Sequence, residues 1–420
     1  MEPPSYAERP ERRSDEKVQC VVIPKNGTDT EARQRIETYL EDLTQEKDLH
    51  SFHCSIRKML RWWIVDLTPS QLEKVKQNPD VKSATIDREI SHHRALPLQH
   101  QFPQPALQAV HHKRDSQYTY QKEQGTSPMH LIQISQPKDD RDYCSYQDYV
   151  YNEAAGEGID IYHIEQEFPL DRFSVPLLTP LAKSKGMSAL STHFGAAKKA
   201  NWKSIKLASL TDSQVAEGLH MAYEQVTDGK GQRKSIVLVT SGHPATIEDV
   251  ESNEVLQDQY LYYSQLLYGG VPSVVSAGNT SPESPSQDID NTPAILADED
   301  ALPMIVVSAA EVDGEIADFS KRGTQTTLYG MGKGECIGLV GKRDAVGTSY
   351  AAPAVAGTLA IAMSMPTVPF VDDTTTDETF AKQAMEWMKN EYSWDRIPDV
   401  NVLWNGVTKA DYTALGLPTS

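Results

Sequence analysis

The chain has 420 residues, of which 39% are apolar and 24% charged, as in an ordinary soluble globular protein of two or three domains. Its formal net charge is −19, from 40 basic and 59 acidic side chains. Because this charge repels phosphate backbones and anionic lipid, we expect neither nucleic acid nor a membrane as a partner. The four cysteines lie far apart, without the spacing of a zinc site or a disulfide-dense scaffold.

Residues 1–17 are polar and proline-bearing, and we predict that they are disordered. They contain no apolar segment typical of a secretory signal, and no stretch of the chain approaches a membrane span. As written, the sequence predicts a cytoplasmic protein, or a secreted one if the true amino terminus lies elsewhere.

Residues 18–91 alternate between strand and helix patterns. The predicted strands include the apolar runs 20–23, 62–67 and 81–86. A helix with Ile36, Leu40 and Leu43 on one face follows the first run, and Thr68 and Pro69 open a second helix after the next run. The order βαββαβ, with both helices on one face of an antiparallel sheet, predicts a ferredoxin-like α+β domain.

Residues 92–128 contain prolines, glutamines and two His-His pairs but no sustained period, so we interpret them as a linker. The histidine pairs lack a third ligand at a suitable spacing. A solvated linker is therefore favoured over metal binding, and the sequence predicts neither a metal nor a cofactor.

From residue 129 to residue 420, short apolar runs alternate with helical patterns. The predicted strands are 159–164, 205–207, 236–239, 271–276 and 305–309, and the predicted helices include 211–226 and 260–268. This alternation predicts an α/β fold, a parallel sheet with helices on both faces, in which functional residues gather at the carboxyl ends of the strands.

The stretch 347–357, "GTSYAAPAVAG", places Ser349 after a glycine and at the start of a helix of very small residues. Free backbone N–H groups at such a helix start favour a developing negative charge, as in acyl transfer. The alternative is that Thr348 or Ser349 is an ordinary N-cap. The small residues predict a helix packed through the middle of the domain.

This stretch resembles the serine motif of the subtilisin-like serine peptidases, Gly-Thr-Ser-x-Ala-x-Pro-x-Val-Ala-Gly, which implies that Ser349 is the nucleophile. Residues 274–279 resemble the segment that supplies the family's oxyanion-hole asparagine, which implies that role for Asn279. Residues 309–323 resemble a further segment of the family. Residues 18–91 resemble the family's inhibitory pro-domain, and residues 129–420 resemble its peptidase domain. Both segments most closely resemble those of the secreted fungal members.

The segment 156–165 resembles the strand that ends in the family's catalytic aspartate, but this chain has Glu165 there. The extra methylene displaces the carboxylate by ~1.5 Å, which catalytic geometry tolerates badly. As an alternative, Glu165 is one acidic residue among many at a solvated strand end.

The catalytic histidine position falls near Leu181, and no His-Gly-Thr occurs in the chain. The segment 240–244 resembles the family's substrate-binding strand, with Ser241 and Gly242, and contains His243 as a possible surrogate base. His193 and His220 are less suitable, and Lys183 and Lys185 are nominal alternatives if desolvated.

Two hypotheses follow for the activity. The first is a pseudoprotease that keeps Ser349 and Asn279 and holds a peptide, a protein partner or its own pro-domain in the active-site cleft. In an enzyme of this type, loss of the base alone lowers turnover by roughly six orders of magnitude. The second is an active serine endopeptidase with a displaced or non-standard base.

Overall fold

The computed structural model describes residues 16–92, 111–112, 119–123, 127–138, 146–166, 195–228, 232–281, 284–338 and 341–418. The chain divides into two compact units. The first is Met1–Glu89 with Thr211–Ser213, and the second is Ile90–Leu210 with Gln214–Ser420.

The first unit contains an antiparallel sheet and two helices. Its strands are β1 (Val18–Pro24), β2 (His50–Cys54), β3 (Met59–Leu67) and β4 (Val81–Ile86), and its helices are α1 (Thr30–Thr44) and α2 (Pro69–Lys76). The strand order across the sheet is β2-β3-β1-β4. Helix α2 begins at Pro69 because the Thr68 side chain caps it in a reciprocal pair with Gln71. The helix faces that periodicity predicted to be buried, with Ile36, Leu40, Leu72 and Val75, pack into the core.

Asp87 is a buried carboxylate of the first unit. It accepts hydrogen bonds from the Ser213 hydroxyl at 2.5 Å and from the Ser213 backbone N–H at 3.3 Å. Burial raises the pKa of Asp87 to about 6, although hydrogen bonds from Ser213 and Thr211 act in the opposite direction. Between about pH 4 and pH 6, the folded unit therefore keeps this carboxyl protonated more than the unfolded chain does.

The second unit contains an eight-stranded sheet in the order β10-β9-β11-β13-β14-β15-β19-β18. These strands are β9 (Asp160–Gln166), β10 (Asn201–Leu207), β11 (Ser235–Val239), β13 (Ser273–Ser276), β14 (Ile305–Ala310), β15 (Leu328–Met331), β18 (Ser393–Ile397) and β19 (Val400–Leu403). Only the pairing of β18 with β19 is antiparallel within this sheet. The predicted parallel α/β sheet is confirmed.

Helices cover both faces of this sheet. The helices of the described chain in this unit are α3 (Met129–Ser135), α4 (Asp212–Asp228, of which Asp212 and Ser213 belong to the first unit), α5 (Ile247–Ser252), α6 (Glu254–Tyr268), α7 (Thr348–Ser364), α8 (Asp377–Asn390) and α9 (Lys409–Ala414). Gly218 of α4 lies against Ile164 on one face, whereas α7 packs on the opposite face against Ile161, which shares its buried cluster. Side chains alternate between faces along a strand, so Ile161, His163 and Glu165 share the α7 face.

Helix α7 is buried along nearly its whole length, as its small residues predicted. At Gly330 of β15, an added Cβ would lie 3.0 Å from the Cβ of Ala351, so strand and helix backbones approach closely. The first turn of α7 is thereby fixed against the carboxyl ends of the central strands.

Several predicted boundaries were wrong. Strand β10 begins at Asn201 rather than at residue 205, and α6 begins at Glu254 rather than at residue 260, because Asn253 caps it through its side chain. Short strands also occur in small additional sheets: β5 (Ser91–His92) with β12 (Ser241–Gly242), β6 (His111–His112) with β7 (Tyr120–Lys122) and β8 (Val150–Asn152), and β16 (Lys333–Gly338) with β17 (Gly341–Val346). Parts of the predicted linker 92–128 therefore pair as strands.

Among the residues that the structure describes, no helix combines the length and apolar character needed to cross a bilayer.

The buried carboxyl of Asp87 predicts a pH dependence of the first unit's stability. Its folded-state pKa of about 6 lies above the ordinary value of 3.8. At pH values between these two numbers, the folded form therefore binds more protons than the unfolded chain. The free energy of unfolding should therefore fall as pH rises from 4 to 6, by up to about 3 kcal/mol from this group.

Asp87→Asn keeps an acceptor for Ser213 but removes the titration. We expect the variant to lose that part of the pH dependence and to be more stable than the wild type at pH 7. The free energy of unfolding should be measured in urea, with hydrogen exchange of the β1 amides as the readout. Identical pH profiles for the two proteins would contradict this account.

Candidate active site

Ser349 lies in the first turn of α7 and is partly exposed. The N-cap of the helix is Gly347, which has φ 146° and no capping side chain, so the interpretation of Thr348 or Ser349 as an ordinary N-cap is wrong. Within the described part of the chain, no hydrogen bond engages the Ser349 hydroxyl. The side chain is thus presented at the positive end of the helix without an activating partner among those residues.

Thr348 joins the start of α7 to the end of β13. Its buried hydroxyl accepts a hydrogen bond from the Gly278 backbone N–H at 3.2 Å and donates one to Asn279 Oδ1 at 3.0 Å. The Thr348 backbone N–H donates to the same Asn279 oxygen at 3.0 Å. Because these bonds fix the oxygen of the Asn279 amide, they also fix the direction of its NH₂ donor group.

The turn that carries Asn279 is held from its other side by the segment 319–321. The Lys321 backbone N–H donates to Gly278 O at 3.0 Å, and the Thr280 N–H donates to Phe319 O at 2.8 Å. The Lys321 ammonium is buried and bonds to Asp290 Oδ1 and Ser284 Oγ, each at 2.5 Å. Asn279 is therefore placed by two independent sets of contacts, as a preorganised donor requires.

Glu165 lies at the end of β9 and is only 8% exposed, so its interpretation as a solvated surface carboxylate is wrong. The register of β9 with β11 places Thr240 beside it, and the Thr240 hydroxyl donates to Glu165 Oε2 at 2.9 Å. His163 Nε2 lies 3.1 Å from the same hydroxyl and 3.8 Å from Glu165 Oε2. The carboxylate is thus a member of a buried Glu165–Thr240–His163 cluster.

His163 and Thr240 were missed by reasoning from the sequence. The two-residue strand period gave a usable signal for His163, since it precedes Glu165 by two positions and must share its face. Thr240 directly precedes the predicted substrate-binding residue Ser241, but nothing in the sequence shows that its hydroxyl contacts Glu165.

The structure places His243 and His220, the two described histidines that the sequence offered as bases, in other hydrogen bonds. His243 is buried, with Nδ1 2.8 Å from Pro244 O. Since a carbonyl only accepts, Nδ1 carries the proton in this arrangement. His220 lies on α4, with Nδ1 3.1 Å from the Tyr262 hydroxyl and Nε2 3.4 Å from Glu224, as expected for a helix position away from the strand ends.

The position near Leu181 at which the family resemblance places the base lies outside the described residues. His193, Lys183 and Lys185 lie outside them as well. Within the described ranges, no group of three or more His, Cys, Asp or Glu side chains is arranged to hold a metal ion.

The predicted substrate-binding residues Ser241 and Gly242 form the short strand β12. Ser91 and His92 lie antiparallel to it, with His92 opposite Ser241 and Ser91 opposite Gly242. An added Cβ at Gly242 would overlap the carbonyl oxygen of Thr292, so this strand position excludes any side chain. The site therefore presents a strand edge that already carries an extended segment.

A model of the subtilase family, peptidase S8, matches residues 182–390. The subtilisin-like serine protease Cla h 9.0101 of Davidiella tassiana is 24% identical over 385 residues, covering 82% of this chain and 65% of that protein. The subtilisin-like serine protease Pen c 2 of Penicillium citrinum is 25% identical over 396 residues, covering 87% of this chain and 78% of that protein. The chain thus spans less than two thirds of the first relative's length.

Two solved structures share the fold. Fervidolysin from Fervidobacterium pennivorans, a keratinolytic enzyme related to subtilisin, superposes with a TM-score of 0.54 at 16% identity, covering 98% of this chain and 63% of that chain. The epidermin leader peptide processing serine protease of Staphylococcus aureus superposes with a TM-score of 0.51 at 12% identity, covering 96% of this chain and 100% of that chain. At these identities the likeness concerns the fold, which is subtilisin-like.

The contacts of Thr348 generate a testable prediction. Thr348→Val removes the hydroxyl, so the buried Gly278 N–H loses its acceptor and Asn279 Oδ1 loses one of its donors. We expect a loss of about 1 to 3 kcal/mol in the free energy of unfolding and faster hydrogen exchange at the Gly278 amide.

Thr358→Val is the matched control on the same helix, because the buried Thr358 hydroxyl donates only to the Ala354 carbonyl one turn earlier. Its effect should be below about 1 kcal/mol, without a change at Gly278. Equal losses in the two variants would contradict the role assigned to Thr348.

Proposed function

Because the chain belongs to the subtilase family, we propose that it is a pseudoprotease, which holds an extended peptide at Ser241–Gly242 and does not hydrolyse it. The peptide adds as a strand, and its main-chain groups supply the affinity. In this proposal, Ser349 and Asn279 are retained parts of a hydrolytic site whose base is lost.

The pairing of Ser91–His92 with Ser241–Gly242 carries this proposal. It is an extended segment in antiparallel register on the strand edge that the sequence predicted to bind substrate. Backbone hydrogen bonds of this kind need neither a nucleophile nor a base. Loss of hydrolysis therefore does not entail loss of binding.

The state of Ser349 supports the absence of hydrolysis. A serine hydroxyl needs a base within hydrogen-bond reach, which a carboxylate orients in turn. Within the described residues the Ser349 hydroxyl has no such partner, and Glu165 accepts from Thr240. The sequence also lacks any histidine followed by glycine, the start of the family's histidine motif.

We also propose that residues 18–91 act as an inhibitory pro-domain that supplies the occupant of this strand edge. Their resemblance to family pro-domains supports this role, as does the position of Ser91–His92 at their carboxyl end. An active subtilase removes such a segment itself, whereas a pseudoprotease keeps it unless another protease cuts the linker.

The second candidate function is serine endopeptidase activity with a displaced base. The intact Thr348–Asn279 geometry favours it, because the donor for a developing oxyanion is preorganised. His243 is the candidate base, since protonation of Nδ1 leaves Nε2 as the acceptor nitrogen. Lys183 and Lys185 are the non-standard alternatives.

Self-cleavage separates these candidates. We expect the purified chain to remain intact on prolonged incubation, as followed by intact-mass spectrometry, because a pseudoprotease does not activate Ser349. Ser349→Ala is the control and should likewise keep its full-length mass, which is lower than that of the wild type by the one oxygen atom that the substitution removes. Loss of the segment that ends in the linker 92–128, in the wild type but not in Ser349→Ala, would establish the endopeptidase and contradict the pseudoprotease.

Strand addition is tested through the chain's own segment. In an antiparallel pair, opposite residues alternate between hydrogen-bonded and non-bonded pairs, so one of Ser91 and His92 must donate to β12. The double variant Ser91→Pro/His92→Pro removes that donor. We expect a fluorescent peptide with the sequence of residues 88–94 to bind the double variant about tenfold more tightly than the wild type, by fluorescence polarisation.

Ser91→Ala/His92→Ala keeps both backbone donors and is the matched control, with an affinity close to that of the wild type. If the proline and alanine variants bind the peptide equally, or if neither binds it, strand addition at Ser241–Gly242 is refuted.

A further inference from the structure

Two tripeptides of the chain match the pattern Asn-x-Ser/Thr, in which x is any residue except proline. Residues 26–28 read Asn-Gly-Thr, and residues 279–281 read Asn-Thr-Ser. In proteins that pass through the secretory pathway, the asparagine of this pattern is the acceptor of an N-linked oligosaccharide. Because such tripeptides also occur by chance, the surroundings of each asparagine decide whether it can carry a sugar.

Asn26 lies on the surface of the first unit, in the turn between β1 and α1. Both Asn26 and Thr28 are exposed. The Oδ1 atom of Asn26 accepts hydrogen bonds from the Thr28 hydroxyl at 2.7 Å and from the Thr28 backbone N–H at 3.0 Å. Because a backbone N–H only donates, the second bond identifies the accepting atom of the amide as its oxygen.

The amide nitrogen of Asn26 is the atom to which a sugar would be attached. Within the part of the chain that the structure describes, this Nδ2 atom makes no hydrogen bond. Replacement of one of its hydrogens by a sugar therefore breaks no described contact, and the exposed position leaves the oligosaccharide in solvent.

The backbone of this turn is held from its inner side. The Lys25 N–H donates to Asp80 O at 2.9 Å, and the Leu60 N–H donates to Gly27 O at 3.2 Å. A Cβ added to Gly27 would overlap the carbonyl oxygen of Leu60, so the residue between the asparagine and the threonine has to be glycine. These contacts fix the turn and leave the side chains of Asn26 and Thr28 together on its outer side.

Asn279, the asparagine of the other tripeptide, has different surroundings. It is half-buried, and its Oδ1 accepts hydrogen bonds from the Thr348 backbone N–H and hydroxyl. A sugar on Nδ2 would replace one hydrogen of the donor group that these contacts orient in the candidate site. We therefore expect Asn279 to remain unmodified in the folded chain.

We propose that Asn26 is an N-glycosylation site of this chain, used when the chain passes through the secretory pathway. The donor is an oligosaccharide linked to a membrane-bound polyisoprenyl pyrophosphate. In the transfer, the bond between the anomeric carbon of the first sugar and the pyrophosphate oxygen breaks, and this carbon forms a bond to Asn26 Nδ2. The nitrogen loses a proton, and polyisoprenyl pyrophosphate leaves. This inference does not rest on the proposed peptide-binding function.

The test uses the full-length chain behind a cleavable secretory signal, expressed in a eukaryotic cell. Chains that have lost the signal have entered the secretory pathway, so only these are analysed. Peptide N-glycosidase in heavy-oxygen water converts a glycosylated asparagine into an aspartate that carries the heavy oxygen. We expect most wild-type chains to acquire this label at residue 26, as detected by mass spectrometry of the tryptic peptide 26–33. A sample without the glycosidase corrects for spontaneous deamidation of Asn26.

Thr28→Ala removes the hydroxyl that the transferase recognises, and it should abolish the label although the acceptor amide is still present. Thr28→Ser keeps a hydroxyl at this exposed position and is the matched control, in which the label should persist. Wild-type chains without the label, or equal labelling of the wild type and Thr28→Ala, would overturn the assignment of Asn26. Label at residue 279 in chains that elute as folded protein from a size-exclusion column would overturn the distinction between the two asparagines.

Discussion

The buried hydroxyl of Thr348 is the contact on which the geometry of the candidate site depends. Through one oxygen and its own backbone N–H it joins the first turn of α7 to the turn after β13, and it fixes the amide of Asn279. The small residues of α7 allow the helix to lie close to the central strands. Ser349, which follows Thr348 in α7, is held near Asn279 because a buried helix start and the turn after a strand are bonded to each other.

Binding and bond cleavage place different demands on this site. A strand edge binds through backbone groups, which the pairing of Ser91–His92 with Ser241–Gly242 displays. Cleavage also needs a base that removes the Ser349 proton and a carboxylate that orients it. Glu165 is part of a buried cluster with Thr240 and His163. A site of this kind can therefore hold a peptide by its strand edge without cleaving it.

The parallel sheet and the buried helix of small residues that carries Ser349 could be predicted because local patterns carry them, whereas Asn279 was selected by the resemblance to the serine peptidase family. Strand runs show in apolar periodicity, and a helix of alanine and glycine shows in composition. The burial of Glu165 could not be predicted, since it follows from the register between β9 and β11, which are distant in sequence.

The reactivity of Ser349 tests the central claim most directly. The rate of fluorophosphonate labelling should be measured between pH 6 and pH 9 for the wild type and for Ser349→Ala. The account predicts that the two proteins are labelled equally slowly at every pH, as expected for a hydroxyl without a base. Stoichiometric labelling of the wild type that Ser349→Ala abolishes would contradict it.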